Sequence, residues 1–262
     1  MGTVVTIDVR QPFVDEAALD EAIAWFHEVD RRFSPFRDDS EVTRVGTGEL
    51  AFEDASPDVR AMFTLADLVR DRSDGAFDPR RFRPDGRPDP TGVVKGWAVD
   101  EAVARLRLAG ARNFEVVAGG DLVACGEAEP GQAWRIGIRH PDREDAVAAV
   151  LAVRDLAVAT SGLYERGAHI VDPRTGEAPA GLRSLTVIGP TLAFADAYAT
   201  AGFVMGEAGV AWAAGEAGFG ALGITAADRL IWTPLLDELL VEPRASGPGA
   251  GGLLRAISAP GR

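Results

Sequence analysis

The chain has 262 residues, 47% of them hydrophobic, and a formal net charge of −13, a length that buries one large core or two small ones in close contact. So large an excess of acid argues against a nucleic-acid partner, and no run approaches the ~18 apolar residues that cross a bilayer. The single cysteine, Cys125, excludes a disulfide framework or a cysteine-based zinc site within one chain.

Residues 2–9 alternate apolar and polar side chains and predict a strand. Asp15 is placed to cap a helix through residue 31, with Ala18, Ala22, Trp25, Phe26 and Val29 at helical spacing. Ser56-Pro57 opens a second helix in cap-then-proline order, Met62, Leu65, Ala66 and Val69 face inward, and Gly75 ends it. Residues 79–92 are rich in Pro, Arg, Asp and Gly, which predicts a long surface loop, and loops of that length more often serve function than not. A third helix is expected over 96–109.

Residues 114–118, 122–125, 134–138, 147–153, 156–160 and 185–188 then read as successive strands, several joined by short turns. An alanine-loaded helix over 192–206, another over 208–217, and strands over 221–225 and 230–233 close the core. The expected fold is α+β, a mainly antiparallel sheet with flanking helices rather than alternating βαβ units. One domain spans 1–242, and the Gly-, Pro- and Ser-rich tail over 243–262 is expected to be disordered.

Three stretches could carry chemistry. Asp196 and Thr200 lie four apart on the alanine-rich helix, so their oxygens emerge one turn apart on one face and could ligate a hard cation such as Mg²⁺. The structural alternative puts Asp196 near the positive helix end and packs Thr200. The segment from Asp89 to Gly96 runs from a loop into a helix start, where backbone N–H groups and Lys95 would suit a phosphate, although its spacing is not that of a P-loop. Lys95 could equally be a surface residue. His169 leaves an apolar run (168–171), read as a buried strand end, at a turn made by Asp172-Pro173 and Gly176, which suits it to face a cleft; the commoner reading is a core histidine bonded to a carbonyl. His27 and His140 have no partner spacing that suggests chemistry, and the five tryptophans read as core.

Several motifs in order resemble the ApbE family, flavin transferases that use FAD to attach FMN to a protein threonine. They are Met1-Gly2-Thr3, Phe33-Ser34 with Ser40-Glu41-Val42, Gly75-Ala76-Phe77-Asp78, Lys95-Gly96 followed by Asp100, Gly119-Gly120-Asp121, Ser161-Gly162 with Tyr164, the His169 segment, and Asp196 with Thr200. The resemblance implies that Met1, Phe36 and Phe77 lie against the flavin, that Asp78 anchors it beside Ala76, and that Asp89, Lys95 and Ile170 also bind FAD. It assigns Mg²⁺ to Asp196, Thr200 and the backbone carbonyl of Gly92, and makes His169 the general base.

This sequence departs from the family where Pro90-Thr91 replaces a common Gly-Gly, where Ala199 replaces an extra acidic ligand, where phenylalanine stands at position 36, and where Pro79-Arg80 follows Asp78; Arg80 could instead pair with phosphate. The net negative charge does not prevent FAD binding, because two phosphates need only local N–H groups, a lysine or a cation.

The implied activity is Mg²⁺-dependent transfer of FMN from FAD to a Thr or Ser of an acceptor flavoprotein subunit, with release of AMP. The alternatives are an FAD pyrophosphatase, with water in place of that hydroxyl, and a non-enzymatic FAD-binding protein. Many relatives are exported or lipid-anchored, whereas no basic, apolar leader and no lipid-bearing cysteine precede the first motif here; a cytoplasmic location is the expectation, unless a leader is missing.

Overall fold

The computed structural model describes residues 3–11, 15–81, 86–143, 146–162 and 170–241, with the backbone of 255–256. Among these residues eleven strands run in chain order: β1 Val5–Val9, β2 Phe114–Ala118, β3 Asp121–Cys125, β4 Trp134–Arg139, β5 Val147–Val153, β6 Leu156–Gly162, β7 Leu182–Gly189, β8 Gly220–Thr225, β9 Leu230–Trp232, β10 Leu240–Val241 and β11 Arg255–Ala256. Six α-helices accompany them: α1 Glu16–Phe33, α2 Glu41–Thr47, α3 Pro57–Arg72, α4 Thr91–Leu108, α5 Leu192–Val204 and α6 Glu207–Ala213.

Eight strands form one sheet in the order β1-β2-β3-β6-β7-β8-β9-β11, and β10-β5-β4 form a second. Every pairing is antiparallel except β9 with β11. The expected α+β class holds.

Strand periodicity explains the layers. On β3, β6 and β7, Val123, Cys125, Ala157, Ala159, Leu185 and Val187 join the helices in one core, whereas Leu122, Ala124, Val158 and Ile188 face the small sheet in a second. These strands are covered on both faces, so they read in the sequence as continuous apolar runs and not as alternation.

Some expectations are corrected. The helix α2 was not foreseen: Ser40 caps it by accepting from Thr43 N–H at 3.1 Å, and Gly48 closes it at φ 77°, but seven residues are too few to show a periodic pattern. The helix α4 begins at Thr91, not at residue 96, because Asp89 Oδ1 accepts from Thr91 N–H at 2.9 Å and sets the turn into the helix. Pro57 does open α3, yet the Ser56 hydroxyl is buried with no hydrogen-bond partner among the described residues, so it does not cap. Ile170 and Val171 form no strand, and Ala168 lies outside the described residues.

Two features fix α4 against α5. A Cβ built on Gly96 would lie 2.5 Å from the Leu192 carbonyl oxygen and 2.6 Å from the Ala193 nitrogen, so only glycine allows this approach. One turn on, the Asp100 carboxylate accepts from Leu192 N–H at 2.8 Å and Ala193 N–H at 2.9 Å, capping α5 from a neighbouring helix.

Gly96→Ala should therefore cost about 1–3 kcal/mol, because backbone cannot yield as a flexible side chain does; an unchanged urea midpoint would contradict the close approach. Burial pushes the Asp100 carboxyl up from 3.8 to about 6, against the pull of its two N–H partners. Between those values the native state holds a proton that the unfolded chain has released. Asp100's contribution to stability is thus largest below the window and is lost as pH rises through it. The stability of the wild type relative to Asp100→Asn should fall by roughly 1–3 kcal/mol between about pH 4 and pH 7. A relative stability that stayed flat or grew would count against that burial.

Candidate active site

A cleft of about 490 Å³ opens where the end of α1, the turn after α3, the start of α4, the β2–β3 hairpin, the end of β6 and the face of α5 converge. Of the residues singled out in the sequence, Phe36, Ala76, Phe77, Asp89, Gly92, Lys95, Ile170, Asp196 and Thr200 all line it. Asp78 does not line it. Met1, Tyr164 and His169 lie outside the described residues.

The hairpin between β2 and β3 is a two-residue turn, Gly119-Gly120, with φ of 60° and 96°. Two positive φ values are what a tight hairpin demands and what glycine supplies without strain. The turn delivers Asp121 as the first residue of β3, where it is 2% exposed. Its Oδ1 accepts from Thr160 N–H at 2.9 Å, and its Oδ2 accepts from Lys95 Nζ. Lys95 Nζ also stands 3.3 Å from Asp196 Oδ2. Burial is the largest influence on Lys95 and favours the neutral amine, but the Asp196 and Asp121 carboxylates together outweigh it and raise its pKa.

Lys95 is the only lysine in the chain. An ammonium is a compact charge with three rotatable donors, which suits a position between two carboxylates better than a planar guanidinium does. Because α4 starts at Thr91, Lys95 lies in its second turn and not at the helix start, and acids on β3 and α5 engage its ammonium. Sequence reasoning missed Asp121 as a functional residue, although the two glycines before it were the signal.

Asp196 and Thr200 do share the cleft-facing side of α5, and Thr200 Oγ1 lies 3.2 Å from Ser161 Oγ. Among the described residues no group of three or more His, Cys, Asp or Glu side chains could hold a metal. The donors present are one carboxylate and hydroxyls, hard oxygens that fit a cation retaining much of its water, as Mg²⁺ does. Gly92 falls in the first turn of α4 and lines the cleft.

The remaining residues sort by exposure. Phe77 is 0% exposed and backs the wall, whereas Phe36 stands 93% exposed at the rim as a free face for stacking. Asp78 Oδ1 accepts from Arg80 N–H at 2.9 Å, and burial raises its pKa. Arg80 is held by Asp67 at 2.6 and 3.1 Å, so its reading as a phosphate partner is corrected. His140 Nδ1 accepts from Asp142 N–H at 3.2 Å and serves a turn.

The sequence profile of the ApbE family matches residues 1–81 and 80–222, and the chain belongs to that family. It is 36% identical over 130 residues to the FAD:protein FMN transferase of Haemophilus influenzae, a match covering 45% of this chain and 38% of that one. Against the Escherichia coli protein of the same name it is 35% identical over 133 residues, covering 47% and 38%. The matched stretch thus spans under two-fifths of these relatives' length. The flavin transferase ApbE from Vibrio cholerae superposes with a TM-score of 0.79 at 26% identity, covering 92% of this chain and 96% of that one. The apo flavinyl transferase ApbE of Pseudomonas stutzeri (TM-score 0.72, 24% identity, 86% and 88% covered) shares the fold.

Lys95→Met would leave Asp121 and Asp196 without the ammonium between them, at a cost of about 3–5 kcal/mol. Adding Asp121→Asn should recover a large part of that loss. Equal or greater destabilisation in the double variant, by chemical denaturation, would show that the three groups are not coupled.

Proposed function

We propose that this protein is an FAD:protein FMN transferase, moving FMN from FAD to a Thr or Ser hydroxyl of an acceptor flavoprotein subunit and releasing AMP. The observation that carries the reading is that Asp196 and Thr200, one turn apart on α5, face the same cleft as the free ring of Phe36. Membership of the ApbE family and the names of its relatives support it.

In this reading Phe36 stacks on the isoalloxazine and the diphosphate lies toward α5. Mg²⁺, held by Asp196, Thr200 and the Gly92 carbonyl, would neutralise charge on that diphosphate. Lys95 holds Asp196 in place, and is itself fixed by Asp121. The acceptor oxygen bonds to the FMN phosphorus, the bond from that phosphorus to the bridging oxygen breaks, and AMP leaves with the oxygen. The hydroxyl proton passes to His169, whose neutral imidazole suits a base working near pH 7. His169 immediately precedes Ile170, a cleft-lining residue, and the Asp172 carbonyl closes the following turn by accepting from Gly176 N–H at 2.7 Å.

The test is incubation with FAD, Mg²⁺ and a candidate acceptor, followed by intact-mass measurement. One added FMN phosphoryl unit on the acceptor is expected, and AMP should appear in equal amount. Asp196→Asn should slow transfer by about 100-fold, and His169→Ala should abolish it while FAD stays bound. AMP formed at full rate without any acceptor would make the protein a pyrophosphatase, and tight FAD with no AMP would make it a binding protein.

A further inference from the structure

Cationic side chains are scarce in the cleft, and they are not equivalent. Among the described lining residues only Lys95 and Arg81 carry positive charge, against Asp89 and Asp196. Lys95 is matched by Asp121 and Asp196, so its charge is already answered within the protein. Among the described lining residues that leaves Arg81 to meet the charge of a diphosphate from the protein's side.

Arg81 differs in its commitments. Its side chain is 64% exposed, and its Nη1 donates to the Pro173 carbonyl at 2.7 Å. Its Nε lies 3.8 Å from Asp78 Oδ2, beyond hydrogen-bond reach. The guanidinium has five N–H donors, so most remain available among the described residues. Pro173 also lines the cleft, and this bond anchors the guanidinium at the cleft wall.

We infer that Arg81 is the phosphate-binding cation of this cleft, giving a charge-assisted hydrogen bond to the diphosphate of FAD. The sequence pointed instead to Lys95 and Arg80, but the fold commits Lys95 to two carboxylates and Arg80 to Asp67. The inference rests on FAD being the ligand of the cleft.

The experiment measures FAD affinity against ionic strength for the wild type and for Arg81→Ala, Arg81→Gln and Arg81→Lys. A charge-assisted bond of this kind corresponds to about a 10–100-fold weakening in Arg81→Ala, with a shallower dependence on salt. Arg81→Gln, which can still donate to Pro173 but carries no charge, should bind as weakly as Arg81→Ala. Arg81→Lys should recover most of the affinity and the full salt slope. Unchanged affinity in Arg81→Ala, or full recovery in Arg81→Gln, would overturn the inference, the latter because it would make Arg81 a clamp on the Pro173 segment and nothing more. Failure of the wild type itself to bind FAD would instead remove the proposed function, and this inference with it.

Discussion

One ammonium between two carboxylates organises this protein. Lys95 on α4 reaches Asp121 on β3 and Asp196 on α5, so a helix, a hairpin and a second helix are tied at one point. The contact requires that α4 and α5 approach closely. Gly96 permits it by lacking a side chain, and Asp100 reinforces it by capping α5. Losing the lysine would leave two acids in a poorly solvated place, which makes the position costly to change.

The same triad shapes the electrostatics of the cleft. Because Lys95 is answered from within, the described lining offers oxygens from α5, an aromatic face at the rim and Arg81 as its one largely exposed positive charge. That balance suits a ligand that arrives with its own hard cation. It also explains how a chain of net charge −13 can hold a phosphate-bearing ligand: what matters is the few groups within a Debye length, not the sum.

Much of this was legible in the sequence, for identifiable reasons. The run at β5 was read with its bounds intact, since a continuous apolar segment between turn residues has few other interpretations. That Asp196 and Thr200 share one helix face followed from their spacing, whereas their choice as a ligand pair came from the family resemblance. The start of α4 was hidden because Pro90 and Gly92 read as breakers, while the side chain that sets the turn, Asp89, acts two residues ahead. The partners of Lys95 were hidden for a deeper reason: Asp121 and Asp196 are distant in the chain, and no local pattern states that a lysine on one helix will meet acids on a strand and another helix. Arg80 and Arg81 show the same limit, since adjacent arginines differ only in which way the fold turns them.

Lys95 being the sole lysine makes the central pairing open to direct observation. Labelling lysine selectively with ¹⁵N places a single side-chain ammonium in the NMR spectrum, and exposed ammonium protons at neutral pH exchange with water too fast to be seen. An immobilised, slowly exchanging signal that disappears in Asp121→Asn is the predicted result. A mobile, fast-exchanging lysine in the intact protein would mean that the two carboxylates do not hold it, and the site would have to be rebuilt from other contacts.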